Sequence, residues 1–368
     1  MNKKLKVLHV LGELKPSGAE SMFCIAAPLF STQGVEAEIV STGAALGIYA
    51  PQLAEAGYRL HHVPFSKSPR FFIELFRLMR AGNYDVFHLH TERANFWIGL
   101  VALALRPSHV VQTIHNTFAF RGNLRLRRMV QRRILRLLGL IHVSISPSVV
   151  QTELRHFGLK TRLVPNWYDS NRFVVPTEIE RRQARAVFGI GDNETVIASV
   201  GNCSPVKNHA ALIEAIACLP IASRPLYLHA GIEEEAHPER KLAEQRGIAD
   251  RVRFLGPMSD VRPVLHAADL FAMPSLFEGF GIAGIEALAT GLPALFTDVP
   301  GLCDFRTEYK DLCYSASDVE SLVAALAELL AESRVQRRAR AVTYPVISQH
   351  LYGIGRGVAG YLQIYRGG

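Results

Sequence analysis

The sequence lacks the features that mark secreted, disulfide-bonded and membrane-spanning proteins. Its five cysteines are odd in number and scattered, and none forms a close pair with zinc or redox spacing, which favours a reducing cytoplasm. The apolar run after Lys3 and Lys4 is interrupted at Glu13, too early for the core of a signal peptide. The longest other apolar run, FWIGLVALAL, is about half of what a spanning helix needs. These absences predict a cytoplasmic protein without an integral membrane segment.

Low-complexity tracts and close internal repeats are also missing. The 368 residues are 49% hydrophobic and 20% charged, which is ordinary globular composition. This length exceeds what one hydrophobic core usually organises, so the sequence predicts two domains.

Acidic residues are scarce in the first half of the chain. Residues 1–170 hold 10 Asp and Glu against 21 Lys and Arg, whereas the remainder holds 23 against 20. The first half therefore carries a net charge of +11 and the remainder −3, which together give the +8 of the whole chain. Such asymmetry indicates an anionic partner there: nucleic acid, a phospholipid surface or a phosphorylated substrate.

Short apolar segments alternate with helical segments along the whole chain, which predicts an α/β fold with parallel, doubly wound sheets. The strands of the first set include LKVLHVL, EAEIVST, DVFHLH and HVVQTIH, and those of the second include TVIASVG, PLYLHAG, LFAMPS and PALFT. Turn residues in PNWYDSNRFVVP interrupt the pattern. We therefore predict domains at 1–170 and 171–345, with a helical segment at 346–368 that returns to the first domain.

Two glutamates, Glu278 and Glu286, flank the predicted start of a helix in PSLFEGFGIAGIEALATGLP. Ligands of doubly wound sheets lie beyond the carboxyl ends of strands, where helix N-termini offer unpaired N–H groups to phosphates. Carboxylates accept paired hydrogen bonds from sugar hydroxyls. The pair thus fits the two ends of a nucleotide sugar, but it also fits a helix with one capping and one solvated glutamate.

Several blocks around these glutamates occur in an order that resembles glycosyltransferase family four, whose members are retaining, metal-independent enzymes. The blocks are VGNCSPVKNHAALIEA, VRFLGPMSDV, AADLFAMPSLFEGFGIAGIEALATGLPAL and TDVPG. The resemblance covers nearly the whole second half and implies a GT-B fold, in which two Rossmann-like domains face a central cleft. It also implies an acceptor-binding first domain, a donor-binding second domain and a nucleotide-sugar co-substrate, with a UDP-sugar favoured and no cofactor or metal.

The resemblance assigns roles to residues of the second half. Glu278 would orient the transferred sugar, Glu286 would bind ribose, and Lys207 would bind the diphosphate. Backbone groups would supply further donor contacts at Phe280, Gly281, Ile282, Leu255 and Gly256. A fixed ammonium near the leaving diphosphate stabilises the charge that grows as the glycosidic bond breaks.

This sequence departs from the family pattern at two positions. Asn202 stands where the family commonly has an arginine on the diphosphate, so one cationic contact is missing. In PSGAE, Gly18 remains of a glycine pair that approaches the donor, and Ser17 occupies the other position. Because one cationic contact is missing, a non-catalytic sugar-binding or scaffold subunit is an alternative function. A GT-B epimerase or phosphorylase is another alternative.

Three histidines of the first half end predicted strands. His115 in TIHNTF resembles the family histidine beside the transferred sugar, where it would hydrogen-bond a hydroxyl or steady positive charge at the anomeric carbon. His88 and His90 in DVFHLH point to the same side of a strand, a pattern that also fits metal ligation. Because the sequence identifies no third ligand, we predict no metal and treat both as acceptor-side candidates.

The segment RGNLRLRRMVQRRILRLLG, with seven arginines from Arg121 to Arg136, predicts a basic amphipathic helix. Its apolar side carries Leu126, Val130, Ile134, Leu137 and Leu138. Either the apolar side packs on the domain, or the helix lies on an anionic membrane, or both. Because no recognised nucleic-acid module accompanies the charge, we expect a membrane surface and a glycan or lipid-linked acceptor as partners. A cytoplasmic protein peripheral to the inner face of the membrane follows.

Overall fold

The computed structural model describes residues 4–15, 18–117 and 120–368, without the side chain of Ala19. It divides into two compact units. The first unit extends to Trp167 and also contains Ile354–Gly368, and the second is Tyr168–Gly353. The chain thus re-enters its first unit after residue 353, later than the 346 that the sequence predicts.

A seven-stranded parallel sheet lies at the centre of the first unit, in the order β3-β2-β1-β4-β5-β6-β7. Its strands are β1 (Leu5–Leu11), β2 (Val35–Ser41), β3 (Arg59–His62), β4 (Val86–Leu89), β5 (His109–Ile114), β6 (Ile141–Ser144) and β7 (Arg162–Leu163). The helices are α1 (Gly18–Thr32), α2 (Ala50–Glu55), α3 (Pro69–Gly82), α4 (Asn95–Ala104), α5 (Gly122–Leu137) and α6 (Pro147–Phe157). The strand order reverses between β1 and β4, where ligands bind in such sheets.

The second unit contains a six-stranded parallel sheet in the order β10-β9-β8-β11-β12-β13. The strands are β8 (Val196–Val200), β9 (Leu226–Ala230), β10 (Val252–Phe254), β11 (Leu270–Met273), β12 (Ala294–Thr297) and β13 (Cys313–Ser315). The helices are α7 (Glu178–Val187), α8 (His209–Cys218), α9 (Pro238–Gln245), α10 (Arg262–Ala267), α11 (Ile282–Ala289), α12 (Val319–Ala331), α13 (Arg334–Arg340) and α14 (Tyr344–Tyr352). Here the order reverses between β8 and β11.

The central strands are buried along nearly their whole length, which explains why they read as continuous apolar runs. In the second unit, α8 and α12 pack on one face of the sheet through Leu212, Ile216, Leu326 and Leu329. Each of these four side chains is fully removed from solvent, and burial of that kind contributes about 1.5–3 kcal/mol per side chain.

The last helix, α15 (Ile354–Tyr365), belongs to the first unit and packs beside α1. A Cβ on Gly357 would lie 2.0 Å from the indole ring of Trp167, so only glycine permits this approach. Gly353 separates α14 from α15, and the two are therefore distinct helices where the sequence predicts one.

Within the part of the chain that the structure describes, none of the helices combines the length and apolar character needed to cross a bilayer.

Candidate active site

The loop between β11 and α11 carries the first of the two glutamates, and Gly281 determines how the helix begins. Gly281 lies at the N-cap with φ of 82°, a left-handed conformation that favours glycine. A Cβ there would also approach Leu302 to 2.7 Å. The first turn of α11 consequently starts directly behind the loop, and its free N–H groups form an anion-binding end.

Glu278 and Lys207 form an ion pair at this loop. The Lys207 Nζ lies 2.6 Å from Oε1 of Glu278, and the Ser275 hydroxyl donates to the same oxygen at 2.8 Å. The Glu278 side chain is 11% exposed and that of Lys207 is 29% exposed, so both stay reachable from solvent. Lys207 belongs to the loop after β8, and the fold therefore joins two site residues that are 71 positions apart.

Glu286 lies in the second turn of α11 and is half-buried. Burial raises the pKa of this carboxyl to about 8; the nearby Arg172 guanidinium opposes the increase, and the carboxylates of Asp169 and Asp260 add to it. Arg172 also forms an ion pair with Asp260 at 3.4 Å, which weakens its effect on Glu286. A carboxyl with this pKa is mostly protonated at neutral pH.

The remaining donor-side residues surround the carboxyl ends of the same sheet. Phe280 is buried against Phe305 and Tyr352, so only its backbone can contact a ligand. Leu255 and Gly256 directly follow β10, and both are half-buried. Ile282, also half-buried, is the first residue of α11.

Asn202 stands where the family commonly has an arginine, and its side chain is exposed but hydrogen-bonded to a neighbouring loop. Its Oδ1 accepts a hydrogen bond from the backbone N–H of Ile232 at 3.0 Å. The side chain thus connects the loop after β8 to the loop after β9. It contributes a hydrogen-bonding group to this edge of the sheet and no charge.

In the first unit, Gly18 is exposed and begins α1. The neighbouring Ser17 lies outside the described residues. Gly18 follows β1 and therefore stands at the carboxyl edge of the first sheet, where the resemblance expects it to approach the donor.

His115, which follows β5, is part of a chain of hydrogen-bonded imidazoles. Its Nε2 lies 3.2 Å from Nδ1 of His90, and Nε2 of His90 lies 3.2 Å from Nδ1 of His9. Burial lowers the pKa of His115 to about 4 and that of His9 to about 3. The pKa of His90 is also well below its ordinary value, first through burial and then through its histidine neighbours. The rings are therefore neutral at physiological pH.

His88 is almost fully buried, and both of its ring nitrogens are occupied. Nδ1 lies 2.6 Å from the Tyr365 hydroxyl, and Nε2 lies 2.7 Å from the Thr113 hydroxyl. In this arrangement His88 has no nitrogen left for an acceptor. Sequence reasoning identified no third ligand beside His88 and His90 and missed His9, which the structure places next to both. The ligand atoms of His9, His88 and His90 lie within 4.8 Å of one another.

The structure contradicts one of the two alternatives for α5, in which its apolar side packs on the domain. The side chains of the apolar face are 38% to 86% exposed, as Leu126, Val130, Ile134, Leu137 and Leu138 show. The inward positions are instead Arg132 and Leu135. Arg132 donates two hydrogen bonds to the buried Glu153 of α6, at 2.7 Å and 3.2 Å. Because this carboxylate neutralises it, Arg132 can face the domain, whereas the apolar side does not pack on it.

The sequence matches two family profiles in succession. Residues 16–172 match "Glycosyltransferase Family 4", and residues 180–344 match "Glycosyl transferases group 1". The chain is 30% identical to a D-inositol 3-phosphate glycosyltransferase of Corynebacterium urealyticum, over 68% of this chain and 64% of that protein. It is 25% identical to the UDP-Gal:alpha-D-GlcNAc-diphosphoundecaprenol alpha-1,3-galactosyltransferase of Escherichia coli, over 72% and 71%.

The fold is shared with solved glycosyltransferase structures. Anabaena HepE in complex with UDP and glucose superposes with a TM-score of 0.82 and 18% identity, and covers 98% of this chain and 99% of that chain. This likeness shows the GT-B architecture of two Rossmann-like units. With both units matched by consecutive family profiles, the chain belongs to glycosyltransferase family four.

Proposed function

We propose that this glycosyltransferase transfers a sugar from a nucleotide-diphosphate donor to a glycan or lipid-linked acceptor. A UDP-sugar is the favoured donor. The transfer retains the anomeric configuration and needs no metal. The observation that carries the proposal is the Lys207–Glu278 pair beside the start of α11. The relatives support the choice of substrates, since the E. coli protein is named for a UDP-Gal donor and a diphosphoundecaprenol acceptor. Bacterial cell-surface polysaccharide or glycolipid synthesis is the pathway class that fits.

The chemistry needs charge stabilisation at the departing diphosphate. The N–H groups at the start of α11 and the Lys207 ammonium are oriented before the reaction, so they stabilise the developing charge without reorganising. Both hydrogen bonds to Glu278 end on Oε1, which leaves Oε2 for a sugar hydroxyl. The acceptor attacks on the face that the phosphate leaves, and the departing phosphate oxygen accepts the acceptor's proton.

Of the two roles that the family resemblance allows for His115, the hydrogen bond to a sugar hydroxyl fits and the stabilisation of positive charge does not. Because its ring is neutral and its Nε2 contacts His90, it hydrogen-bonds a sugar hydroxyl through Nδ1 and does not supply positive charge.

Asn202 favours a second function, a non-catalytic sugar-binding subunit. Without the arginine, the diphosphate loses one charge-assisted contact of the kind that contributes most to phosphate recognition. A non-catalytic sugar-binding subunit is therefore the second candidate function.

Incubation with a panel of nucleotide sugars, with and without lipid extract, tests the proposal. We expect release of one nucleotide that requires an acceptor and persists in EDTA. Release should fall in Lys207→Met and Glu278→Gln and stay unchanged in Lys241→Met, which removes an exposed lysine of α9 in the same unit. If no donor releases nucleotide, the result would favour the non-catalytic sugar-binding subunit. Acceptor-free isomerisation would indicate an epimerase, and phosphate-dependent turnover a phosphorylase.

We also propose that the outer face of α5 holds the protein on an anionic bilayer. The exposed apolar side chains of α5 would enter the acyl boundary, together with Trp97 of α4, which is also exposed. Arg121, Arg127 and Arg136 are exposed along the same helix and would contact lipid phosphates, at about 1 kcal/mol per nearby cation. Cytoplasmic localisation at the inner face of the membrane follows from this proposal.

Vesicle sedimentation distinguishes membrane binding through the outer face of α5 from nonspecific binding by any exposed apolar residues. We expect binding to phosphatidylglycerol vesicles that weakens with salt and falls about tenfold when Leu126, Val130 and Ile134 become Gln. The matched control changes three exposed apolar residues of the second unit, Ile179, Val187 and Val335, to Gln. Equal loss in the two triple variants would contradict the proposal.

A further inference from the structure

Three imidazoles converge at the carboxyl end of the first sheet because of how β1 and β4 pair. His9 lies opposite His88 in the parallel register, so both side chains point to the same face of the sheet. His90 lies two residues beyond His88 and returns to that face, with ring centres 3.9 Å apart. The ligand nitrogens of the three histidines lie within 4.8 Å of one another.

These separations are close to those of a metal site. Two nitrogens bound at 2.0–2.1 Å to a tetrahedral ion are about 3.3 Å apart, and the His9 and His90 nitrogens are 3.2 Å apart. The other ligand nitrogens lie within 4.8 Å of one another, so ligation of one ion requires them to approach by at most about 1.5 Å. His9, His88, His90 and His115 also line a cavity of about 20 Å³, which is room for one water-sized particle.

Partners around the histidines suit metal ligation. A ligating imidazole usually keeps a hydrogen bond on its second nitrogen, which fixes the orientation of the ring. His88 has hydroxyl partners on both nitrogens, from Tyr365 and Thr113, so an ion must displace one of these hydrogen bonds while the other continues to fix the ring. In the same way His90 keeps His115 at Nδ1 when Nε2 turns to the ion.

We propose that His9, His88 and His90 form a binding site for one divalent transition-metal ion of the zinc type. Three nitrogen ligands without a carboxylate favour Zn²⁺, Cu²⁺ or Ni²⁺ over Mg²⁺ and Ca²⁺. The rest of the cavity wall is mainly apolar and aromatic, including Phe23 and Trp167. Because a double charge among neutral ligands needs compensation, the fourth position takes hydroxide or another small anion.

The proposed ion has a different role from the cation at the diphosphate. The histidines belong to the first unit, whereas Lys207 and Glu278 belong to the second. The ion therefore does not replace Lys207 at the diphosphate. When the ion binds Nε2 of His90, the proton of that ring must lie on Nδ1. His90 then donates a hydrogen bond from Nδ1 to Nε2 of His115.

The test uses full-length protein stripped with a chelator and then titrated with Zn²⁺ by calorimetry. We expect one equivalent to bind, with no corresponding binding of Mg²⁺. His9→Gln and His90→Gln should each weaken the affinity about 100-fold. The control is His142→Gln, since His142 is a buried histidine of β6 that lies outside the cluster.

A spectroscopic measurement on the unmodified protein covers the case in which a variant does not fold. Co²⁺ in place of Zn²⁺ should give the intense visible bands of a tetrahedral site, without the near-ultraviolet charge-transfer band of a thiolate ligand. Failure to take up one equivalent of either ion would overturn the proposal and leave the histidines as a hydrogen-bonded chain only. A thiolate band would also overturn it by assigning the ion to one of the five free cysteines.

Discussion

Donor affinity should depend on pH through Glu286. In the free protein this carboxyl has a pKa of about 8, because it is half-buried on α11 with Asp169 and Asp260 nearby. Its proposed ligand, the ribose, offers two hydroxyl donors, and a carboxylate accepts from both. A protonated carboxyl must present one O–H to the same hydroxyls, so the ionised form binds better. Binding of the donor therefore releases a proton.

The size of the effect follows from the ionised fraction. With a pKa of about 8, roughly 1% of the carboxyl is ionised at pH 6 and about half at pH 8. If only the ionised form binds, donor affinity rises about 50-fold across that interval. Below pH 7 the slope approaches a factor of about ten for each pH unit.

Calorimetric titration of the donor, identified by the nucleotide-sugar panel, measures this dependence between pH 6 and pH 8. Repeating each titration in buffers with different ionisation enthalpies counts the released protons directly. The matched control is Glu286→Gln, which keeps the side-chain shape but cannot ionise, and its donor affinity should be nearly independent of pH. A flat profile in the unmodified protein, or the same slope in the glutamine variant, would refute the reasoning.

Three further predictions concern substitutions that remove or add a positive charge. Lys207→Met should lower kcat about 100-fold in steady-state assays, because it removes a fixed cation from the leaving diphosphate; an unchanged kcat would exclude that role. Asn202→Arg should tighten donor binding about tenfold at low salt in calorimetry, with the gain shrinking as salt increases, and equal affinity would remove the missing-cation argument. Arg132→Met should lower the free energy of unfolding in urea by about 3–5 kcal/mol, because it leaves Glu153 buried without its partner; a loss below about 1 kcal/mol would contradict this.

The fold and the donor-side loops could be predicted because their signals are local. A parallel strand buried on both faces must be apolar along its length, and LKVLHVL or LFAMPS shows this without reference to any other segment. Loops after such strands fall at one edge of the sheet. The loops of Lys207 and Glu278 were therefore expected at the same edge, although their roles came from the family resemblance, and the structure joins the two side chains at 2.6 Å.

The role of His9 depends on a contact that has no local signal. His9 lies in an ordinary buried strand, and its neighbours in sequence are apolar. Only the pairing of β1 with β4, nearly 80 residues later, puts it opposite His88. Register between distant strands is set by the packing of the whole sheet, so a single sequence does not reveal it.

The orientation of α5 was left open by the sequence for a related reason. A helical wheel separates an apolar side from a basic side, but the assumption that the apolar side faces inward comes from average behaviour. Here Glu153, on the following helix, is buried and offers a carboxylate to the basic side. Arg132 also stacks over the Phe157 ring at 4.4 Å. The partner decides the orientation, and it lies 21 residues away.

We infer that the Arg132–Glu153 pair orients α5 in addition to any contribution to stability. Removing two charges from water costs several kcal/mol per ion, and apolar residues of similar size are often equally stable in such positions. What apolar replacements could not do is distinguish the inner side of α5 from its outer side, since both would then be apolar. We expect the double variant Arg132→Met with Glu153→Leu to recover most of the unfolding free energy that Arg132→Met loses. It should nevertheless bind anionic vesicles more weakly than the unmodified protein, because the variant loses the buried charge pair that favours Leu126, Val130 and Ile134 on the outer side. The hydrogen bonds from Arg125 to His156 and from Arg128 to Asn95 remain and should limit the loss. Full vesicle binding in a stable double variant would mean that the rest of the domain fixes the helix, and that the ion pair only accompanies that orientation.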